Sequence, residues 1–348
     1  MKTIEFGMSK ISEDGPIYFI AEIGHNHQGN IDIAIKMIKY AAGCGVQAVK
    51  FQKRDNKTLY TKAYYNRLYD NENSYGTTYG EHREFLEFNK DEYIKLKKCA
   101  EENDVEFMCT AFDFPSVDFL EEIGVTSYKV ASGDITNIPL LKYIAKLGKP
   151  MFVSTGASTY DEIRMAYETI LKYNDKLCLL HCTAEYPADY SDLNLRFIET
   201  MKKSFSQATI GYSGHDNGIL ASVITYMLGV RVIEKHFTLN HAWKGTDHKF
   251  SLETEGLRKQ VRDLQRIDIA MGNNKKIIFD AEKDARVKMG KSIYTSKALL
   301  AGTVITEKNI CIKSPGGGIS PYYFDEIINK TLKVALDEEA LILLENLE

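Results

Sequence analysis

This chain lacks the features that would mark it for nucleic acid or for a bilayer. Its 44 basic and 48 acidic residues leave a formal net charge of -4, so there is no cationic excess to draw it to nucleic acid. No apolar run reaches the roughly 18–20 residues that a membrane helix needs. The first twenty residues hold Glu5, Lys10, Glu13 and Asp14 and lack a secretory pattern, so a cytoplasmic protein with no membrane partner is expected. Six cysteines, at 44, 99, 109, 178, 182 and 311, are scattered. Cys178 and Cys182 share one strand-like run without the second pair of a zinc knuckle, and the thiols read as mostly structural. GHNHQGN at 24–30 has no GxGxxG spacing, which argues against a dinucleotide turn, and no long repeat points to a solenoid.

What is present is an alternation. Short apolar runs at 17–21, 46–52, 105–109, 126–131, 150–154, 176–182, 208–212 and 230–234 are separated by helix-like segments. Runs that are apolar almost throughout suit parallel strands buried on both faces, and eight of them close a (β/α)8 TIM barrel. An open doubly wound sheet is the competitor, but it more often has five or six strands. A chain of 348 residues with 44% hydrophobic content has enough core for a full barrel and a smaller module.

Two stretches break the rhythm. A polar, aromatic insertion runs from 56 to 89, after the second strand, and a second loop spans 240–257 after the eighth. A helix then ends near Gly272, and a charged stretch beyond it resembles a linker in composition. From Gly290 the pattern changes to short strand-like pieces and Gly/Pro turns. The expected organisation is a barrel over 1–272, a linker over 273–289 and a small, mostly β module over 290–348.

Polar residues collect where the strands end, on the face that holds the active sites of such barrels. Glu22 ends the first strand, Lys50 and Gln52 the second, and Thr110 follows the third. Lys129 lies in the fourth with Ser132 beyond it; Ser154 ends the fifth, and His181 with Thr183 the sixth. Ser213 and His215 follow the seventh strand, Glu234 and His236 the eighth. A lone strand-end histidine is more often packed or hydrogen-bonded than a ligand, and a lone serine is usually a helix cap. Lys50 and Lys129 are harder to explain structurally, because an ammonium in a buried strand needs an anionic partner. With several hydroxyls near helix N-termini they make a cradle for phosphate or carboxylate. His215 and His236 offer two nitrogens to a divalent ion with open positions, which suits Mn²⁺, Co²⁺, Fe²⁺ or Zn²⁺ better than a closed structural site. Tyr79, His82 and Arg83 in the insertion, His25, His27, and Asp247 in GTDH (245–248) are further candidates. For Asp247 a loop-stabilising role is an equal reading.

In IAEIGHNHQGN (20–30), VKFQK (49–53), TYGEHREFLEF (78–88), YKVASGD (128–134), FVSTG (152–156), LLHCTAEYP (179–187), IGYSGHD (210–216), VIEKHFTL (232–239) and WKGTDHKFSLE (243–253), the chain resembles the sialic acid synthases, or N-acetylneuraminate synthases. LLAGTVITEKNI (299–310) and PGGGISP (315–321) resemble their antifreeze-like, or SAF, domain. The resemblance implies a metal-dependent condensation of phosphoenolpyruvate with an open-chain N-acylated hexosamine, giving a nine-carbon 2-keto-3-deoxy acid and phosphate. It implies Mn²⁺, with Mg²⁺ or Co²⁺ as alternatives, on His215 and His236. Phosphoenolpyruvate contacts would come from Lys50, Thr110, Lys129, Ser132, Ser154 and Ser213, and carboxylates at the reacting centre from Glu22 and Glu234. Gln52, Tyr186 and Asp247 join the substrate contacts. It further implies a homodimer in which the SAF-like module of one subunit looks into its partner's barrel.

Two positions depart from the family pattern. Ser314 stands where an arginine commonly precedes the Pro-Gly of the module, and Ala184 where the bacterial members have an asparagine near the donor phosphate. Free N-acetylmannosamine, its 6-phosphate, mannose-derived acceptors and a diacetamido-trideoxyhexose stay open as acceptors. Lys53, Arg54, Lys57 and Arg83 read either as a second phosphate site or as a solvated face. The competing classes are a 2-keto-3-deoxy-octonate or heptulosonate synthase, which would not carry the SAF-like tail, and a non-catalytic polysaccharide-binding protein.

Overall fold

The computed structural model of the chain describes residues 3–348. It divides into two compact units, one ending at Met271 and the other running from Gly272 to Glu348. The first opens with a hairpin, β1 (Thr3–Phe6) and β2 (Ser9–Ser12). Eight parallel strands follow: β3 (Tyr18–Glu22), β4 (Ala48–Lys53), β5 (Glu106–Ala111), β6 (Tyr128–Val130), β7 (Met151–Ser154), β8 (Leu177–Cys182), β9 (Thr209–Gly214) and β10 (Val232–His236). They close into one barrel, with β10 pairing back onto β3. The expected TIM barrel is the fold.

Strand side chains alternate between faces, and this sorts the sequence. Phe19, Val49, Phe107, Val130, Val153, Leu179, Ile210 and Ile233 join the outer core beneath the helices. Tyr18, Ile20, Ala48, Met108, Phe152, Cys178, Leu180 and Val232 fill the barrel's lower interior. Two residues further along each strand the same parity delivers the polar ring at the mouth. Register brings the ring together, pairing Glu22 with both His236 and Lys50, Gln52 with Thr110, and Thr110 with Lys129.

The hairpin lies ahead of the first strand-like run expected from sequence, at 17–21, and was not foreseen. Ile4, Phe6 and Ile11 alternate with polar residues and enter the inner core. Phe6 packs edge-on against Tyr18 and Phe152 at 5.6 and 5.5 Å, and Glu106 accepts from the Met8 amide at 2.6 Å. Each such apolar side chain contributes about 1.5–3 kcal/mol when buried. The lower end of the barrel is thereby filled, and the cavity lies at the C-terminal ends of the strands.

Side-chain caps fix where several of the barrel helices begin. Asn30 caps Ile31–Gly43, Asp113 caps Phe114–Ile123, and capping boxes start Lys90–Glu101 (Asn89, Glu92) and Tyr160–Leu171 (Thr159, Glu162). The insertion folds into three short helices, Asn56–Leu59, Lys62–Tyr65 and Tyr79–Phe85. Tyr60, Tyr64 and Tyr69 pack edge-on about Tyr79.

The second unit is built on an antiparallel pair, β11 (Ser292–Thr295) and β12 (Ile310–Lys313), with a core of Ile293, Leu299, Ile305, Ile310, Ile319, Ile327, Leu332, Ile342 and Leu347. The charged stretch ahead of it carries one short exposed helix, Lys283–Met289. Among the described residues no helix is long and apolar enough to cross a membrane.

Candidate active site

A cavity of about 510 Å³ opens at the barrel mouth. Glu22, Lys50, Gln52, Thr110, Lys129, Ser132, Ser154, Tyr186, Ser213, His215, Glu234, His236 and Asp247 all line it. His25, Arg54, Arg83, Phe112, Cys182 and Thr246 share the wall. His181 does not; it sits between two inward residues, so its ring turns outward, where Nε2 lies 2.7 Å from the Leu193 carbonyl. Thr183 lines a separate cavity beside His181. His27 stacks on Phe88 with ring centres 4.3 Å apart, and His248 Nδ1 lies 2.8 Å from the Thr238 hydroxyl, so both are packing histidines.

At the cavity floor Lys50 Nζ lies 2.6 Å from Glu22 and 3.5 Å from Glu234, and donates to Thr110 Oγ1 at 3.0 Å. Gln52 donates to the other oxygen of Glu22 at 2.6 Å, and Ser213 to Glu234 at 3.2 Å. Burial opposes charge on Lys50, but Glu22 and Glu234 outweigh it and hold the ammonium above its ordinary pKa. Burial and the nearby Glu234 push Glu22 up against the pull of Lys50. Glu234 goes the other way: Lys129 and Lys50 overcome its burial and hold it down. Two carboxyls that share one ammonium and are driven apart in acidity are suited to opposite proton-transfer roles.

Lys129 differs from Lys50. It donates to Ser154 Oγ at 2.6 Å and to its neighbour's carbonyl at 2.9 Å, has no carboxylate within 4 Å among the described residues, and burial lowers its pKa. Ser132 accepts from the Gly156 amide at 3.0 Å. A β-carbon at Gly156 would come within 2.9 Å of that hydroxyl and 3.0 Å of Ala184, so only glycine leaves this corner open. The result is an ammonium that holds Ser154, feels Glu234 only from beyond ion-pair distance, and faces a cavity lined by further hydroxyls, a geometry that can receive an anion.

His215 and His236 come together above the floor, ring centres 5.3 Å apart. His215 Nδ1 lies 2.7 Å from the Thr183 carbonyl, which can only accept, so Nδ1 carries the hydrogen and Nε2 the lone pair. His236 Nδ1 is buried with no hydrogen-bond partner and stands 3.7 Å from Asp247. Burial pushes His236 down to about 4 despite Asp247, so it is a neutral imidazole at neutral pH. Asp247, half-buried and facing His236, stays ionised below its ordinary pKa: burial opposes its charge, but His236 and the Thr246 hydroxyl outweigh that. The loop at 240–257 thus delivers its carboxylate beside the histidine pair.

The NeuB family model matches residues 37–276 and the SAF domain model residues 290–348. The chain belongs to the NeuB family. It is 38% identical over 329 residues to the N-acetylneuraminate-9-phosphate synthase of Homo sapiens, covering 94% of this chain and 92% of that protein. It is 34% identical to the N,N'-diacetyllegionaminic acid synthase of Legionella pneumophila over 95% of this chain and 94% of that one. The crystal structure of the N-acetylneuraminic acid synthetase of Leptospira borgpetersenii superposes with a TM-score of 0.70 at 32% identity, covering 82% of this chain and 95% of that one. A NeuB synthase joins phosphoenolpyruvate to an aldose through a carbon–carbon bond, and this chain is such an enzyme.

Family membership implies a metal-dependent mechanism. Among the described residues no group of three or more His, Cys, Asp or Glu gathers into a metal cage. The donor set still fits a divalent ion with open positions: one imidazole whose hydrogen is fixed on the far nitrogen, and a second, neutral and without a partner.

Some of the wall was not singled out from sequence. Cys182, read among the structural thiols, faces the cavity 3.8 Å from His215 Nδ1; its parity with Cys178 and Leu180 is the signal that marks it as inward. For Arg54 a solvated face was the ordinary reading, whereas Arg83 was already a candidate for the wall; both are held against the cavity. Ser314 donates to the Gly290 carbonyl at 2.9 Å within the second unit.

Proposed function

We propose that this NeuB-family enzyme condenses phosphoenolpyruvate with N-acetylmannosamine or its 6-phosphate, giving N-acetylneuraminate or its 9-phosphate and inorganic phosphate. The observation that carries the reading is the meeting in one cavity of Lys129 on Ser154, a Glu22–Lys50–Glu234 cluster and the His215–His236 pair. Near full-length likeness to N-acetylneuraminate-9-phosphate synthase supports it. Likeness to diacetyllegionaminic acid synthases favours a second reading, a diacetamido-trideoxyhexose acceptor, at the same site.

In this mechanism Lys129 with Ser132, Ser154 and Ser213 holds the anionic donor, and Thr110 and Lys50 border it. Tyr186, Gln52 and Asp247 orient the acceptor. His215 and His236 would hold a divalent ion, Mn²⁺ in our reading, whose positive charge polarises the acceptor aldehyde. The enol electrons of phosphoenolpyruvate form the bond from C3 to the aldehyde carbon. The C=O π pair passes to the aldehyde oxygen, which takes a proton to become the new hydroxyl, and positive character is left at C2. Glu234, held ionised, stabilises that charge. Glu22, whose proton affinity is raised, takes the proton of the water that adds to C2, with Lys50 fixing its position. Phosphate then leaves from C2 by C–O cleavage, and the ammonium groups stabilise the departing charge.

From the family we carry over the division into a barrel (1–272), a linker (273–289) and a SAF-like module (290–348), and a homodimer in which that module covers the partner's site. Truncation before Gly290 should then leave a folded barrel with little turnover. The deciding experiment measures phosphate release from phosphoenolpyruvate with Mn²⁺ or with EDTA, across N-acetylmannosamine, its 6-phosphate and 2,4-diacetamido-2,4,6-trideoxymannose. Release that needs both ion and sugar supports the function; no release with any acceptor overturns it.

A further inference from the structure

Two guanidinium groups flank a single imidazole at the outer wall of the cavity. Arg54 Nη1 lies 3.1 Å from His25 Nε2, and Arg83 Nη1 lies 3.1 Å from His25 Nδ1. A neutral imidazole has one lone pair and one N–H, so it accepts from only one arginine and turns its own N–H toward the other. Protonating the ring would put a third positive charge between two, and burial together with Arg54 and Arg83 holds its pKa well below the ordinary value. One buried arginine donor therefore has no acceptor in the protein at that position.

The charges also lack a carboxylate at ion-pair distance. Neither arginine has a carboxylate within 4 Å among the described residues. Arg54, only 7% exposed, stacks on Phe112 at 3.6 Å and donates to Gln52 Oε1 at 2.7 Å. Arg83 donates from Nε and Nη2 to the Tyr79 hydroxyl, at 3.0 and 2.8 Å, which leaves two of its five N–H groups free among the described residues. Lys53 alongside is neutralised by Glu87 at 2.8 Å, so that carboxylate is engaged elsewhere. Desolvated guanidiniums without an anion are costly, and the planar donor fork of arginine matches phosphate.

Position says which phosphate. Lys50, Gln52 and Arg54 follow one another at alternate residues, each step advancing roughly 6–7 Å toward the mouth. Lys50 belongs to the reacting centre, Gln52 bridges Glu22 to Arg54 with bonds of 2.6 and 2.7 Å, and Arg54 stands beyond. The donor's phosphate has its own cradle at Lys129 and Ser154. An open-chain acceptor whose aldehyde lies over the floor extends outward along that line, and its far end meets Arg54 and Arg83.

We propose that Arg54 and Arg83, set about His25, form a second anion site that binds the terminal phosphate monoester of the acceptor and selects a phosphorylated sugar over the free one. This rests on the synthase reading above and makes its acceptor specific. The test compares kcat/KM for N-acetylmannosamine 6-phosphate and free N-acetylmannosamine, with phosphoenolpyruvate and Mn²⁺, in the intact enzyme and in Arg54→Gln and Arg83→Gln. The intact enzyme should prefer the phosphorylated sugar, and each substitution should shrink that preference by about 10- to 100-fold through the acceptor KM, as loss of a charge-assisted contact does. Arg83→Lys should retain part of it.

A wild-type enzyme that uses the free sugar equally well overturns the site while leaving the synthase reading intact. A loss that falls on the KM for phosphoenolpyruvate instead assigns the arginines to the donor and also overturns it. Absence of turnover with either sugar removes the synthase reading itself. Should one variant fail to fold, the other variant and the wild-type preference still decide.

Discussion

Lys235 and Asp216 form an ion pair of 2.9 Å with side chains only 1% and 0% exposed. Asp216 directly follows His215 and Lys235 directly precedes His236, so the pair ties together, from behind, the two strand ends that present the histidines. Tyr212 completes the brace by donating to Asp216 at 2.7 Å. Removing one partner of a buried pair leaves an unanswered charge, a loss of about 3–5 kcal/mol. Lys235→Ala should therefore lower barrel stability by that amount in chemical denaturation, and the volume-matched Lys235→Met with Asp216→Leu should recover most of it. A single substitution without measurable effect would show that the brace is not structural.

Glu22 is the carboxyl that burial raises, and Lys50 and Gln52 hold it in place. Glu22→Gln keeps the shape and removes the proton acceptor, so kcat for phosphate release should fall by about 10²- to 10⁴-fold while the KM for phosphoenolpyruvate changes little. A comparable kcat in the variant would remove Glu22 from proton transfer. The turn behind it is equally constrained: Gly24 has φ +53°, and a β-carbon there would come within 3.0 Å of Glu22 Oε1 and 3.2 Å of Gln52 Nε2. Gly24→Ala should disturb the same step without touching substrate.

The unpartnered Nδ1 of His236 and the fixed tautomer of His215 make a direct prediction about metal. His236→Ala should weaken Mn²⁺ binding, followed by calorimetry on EDTA-treated protein, by more than the ~10- to 100-fold that loss of an outer-shell partner costs. Asp247→Asn should fall nearer that range, because Asp247 stands 3.7 Å behind His236. Unchanged affinity in the His236 variant would place the ion elsewhere.

Much of this was legible because parallel barrel strands are buried on both faces, so a polar residue near a strand end has few places to be except the mouth. Lys50 and Lys129 stood out for that reason, and the closed barrel turns both toward Glu234, 3.5 Å from Lys50. Parity then separates residues that look alike in sequence. Lys50 and Lys129 enter the cavity, while Lys235 and His181 point to the helices. Residues on loops were harder to read, because their direction depends on packing far away in sequence. Arg83 reaches the cavity only because the Tyr79–Phe85 helix docks on a tyrosine cluster, and Arg54 only because Phe112 lies beneath it. The N-terminal hairpin escaped because four-residue strands carry too little periodicity to separate from a loop.

Asp134 yields the pH prediction. It ends the short turn Ser132–Asp134 after β6, and its one side-chain hydrogen bond, from Asn137, is long at 3.4 Å. Burial raises its carboxyl from 3.8 to about 6, and the Asn137 contact only partly opposes that. Between those values the folded protein keeps a proton that the unfolded chain has released, so stability falls as pH rises through the window and stays lower above it. Asparagine cannot ionise, so Asp134→Asn should be more stable than the parent at neutral pH, by an amount on the order of 1–2 kcal/mol for a partly solvated group. The difference should shrink toward zero near pH 4, where both side chains are neutral. Denaturation at a series of pH values checks this: a variant less stable than the parent at neutral pH would mean that the ionised carboxylate is held by interactions stronger than the burial opposing it.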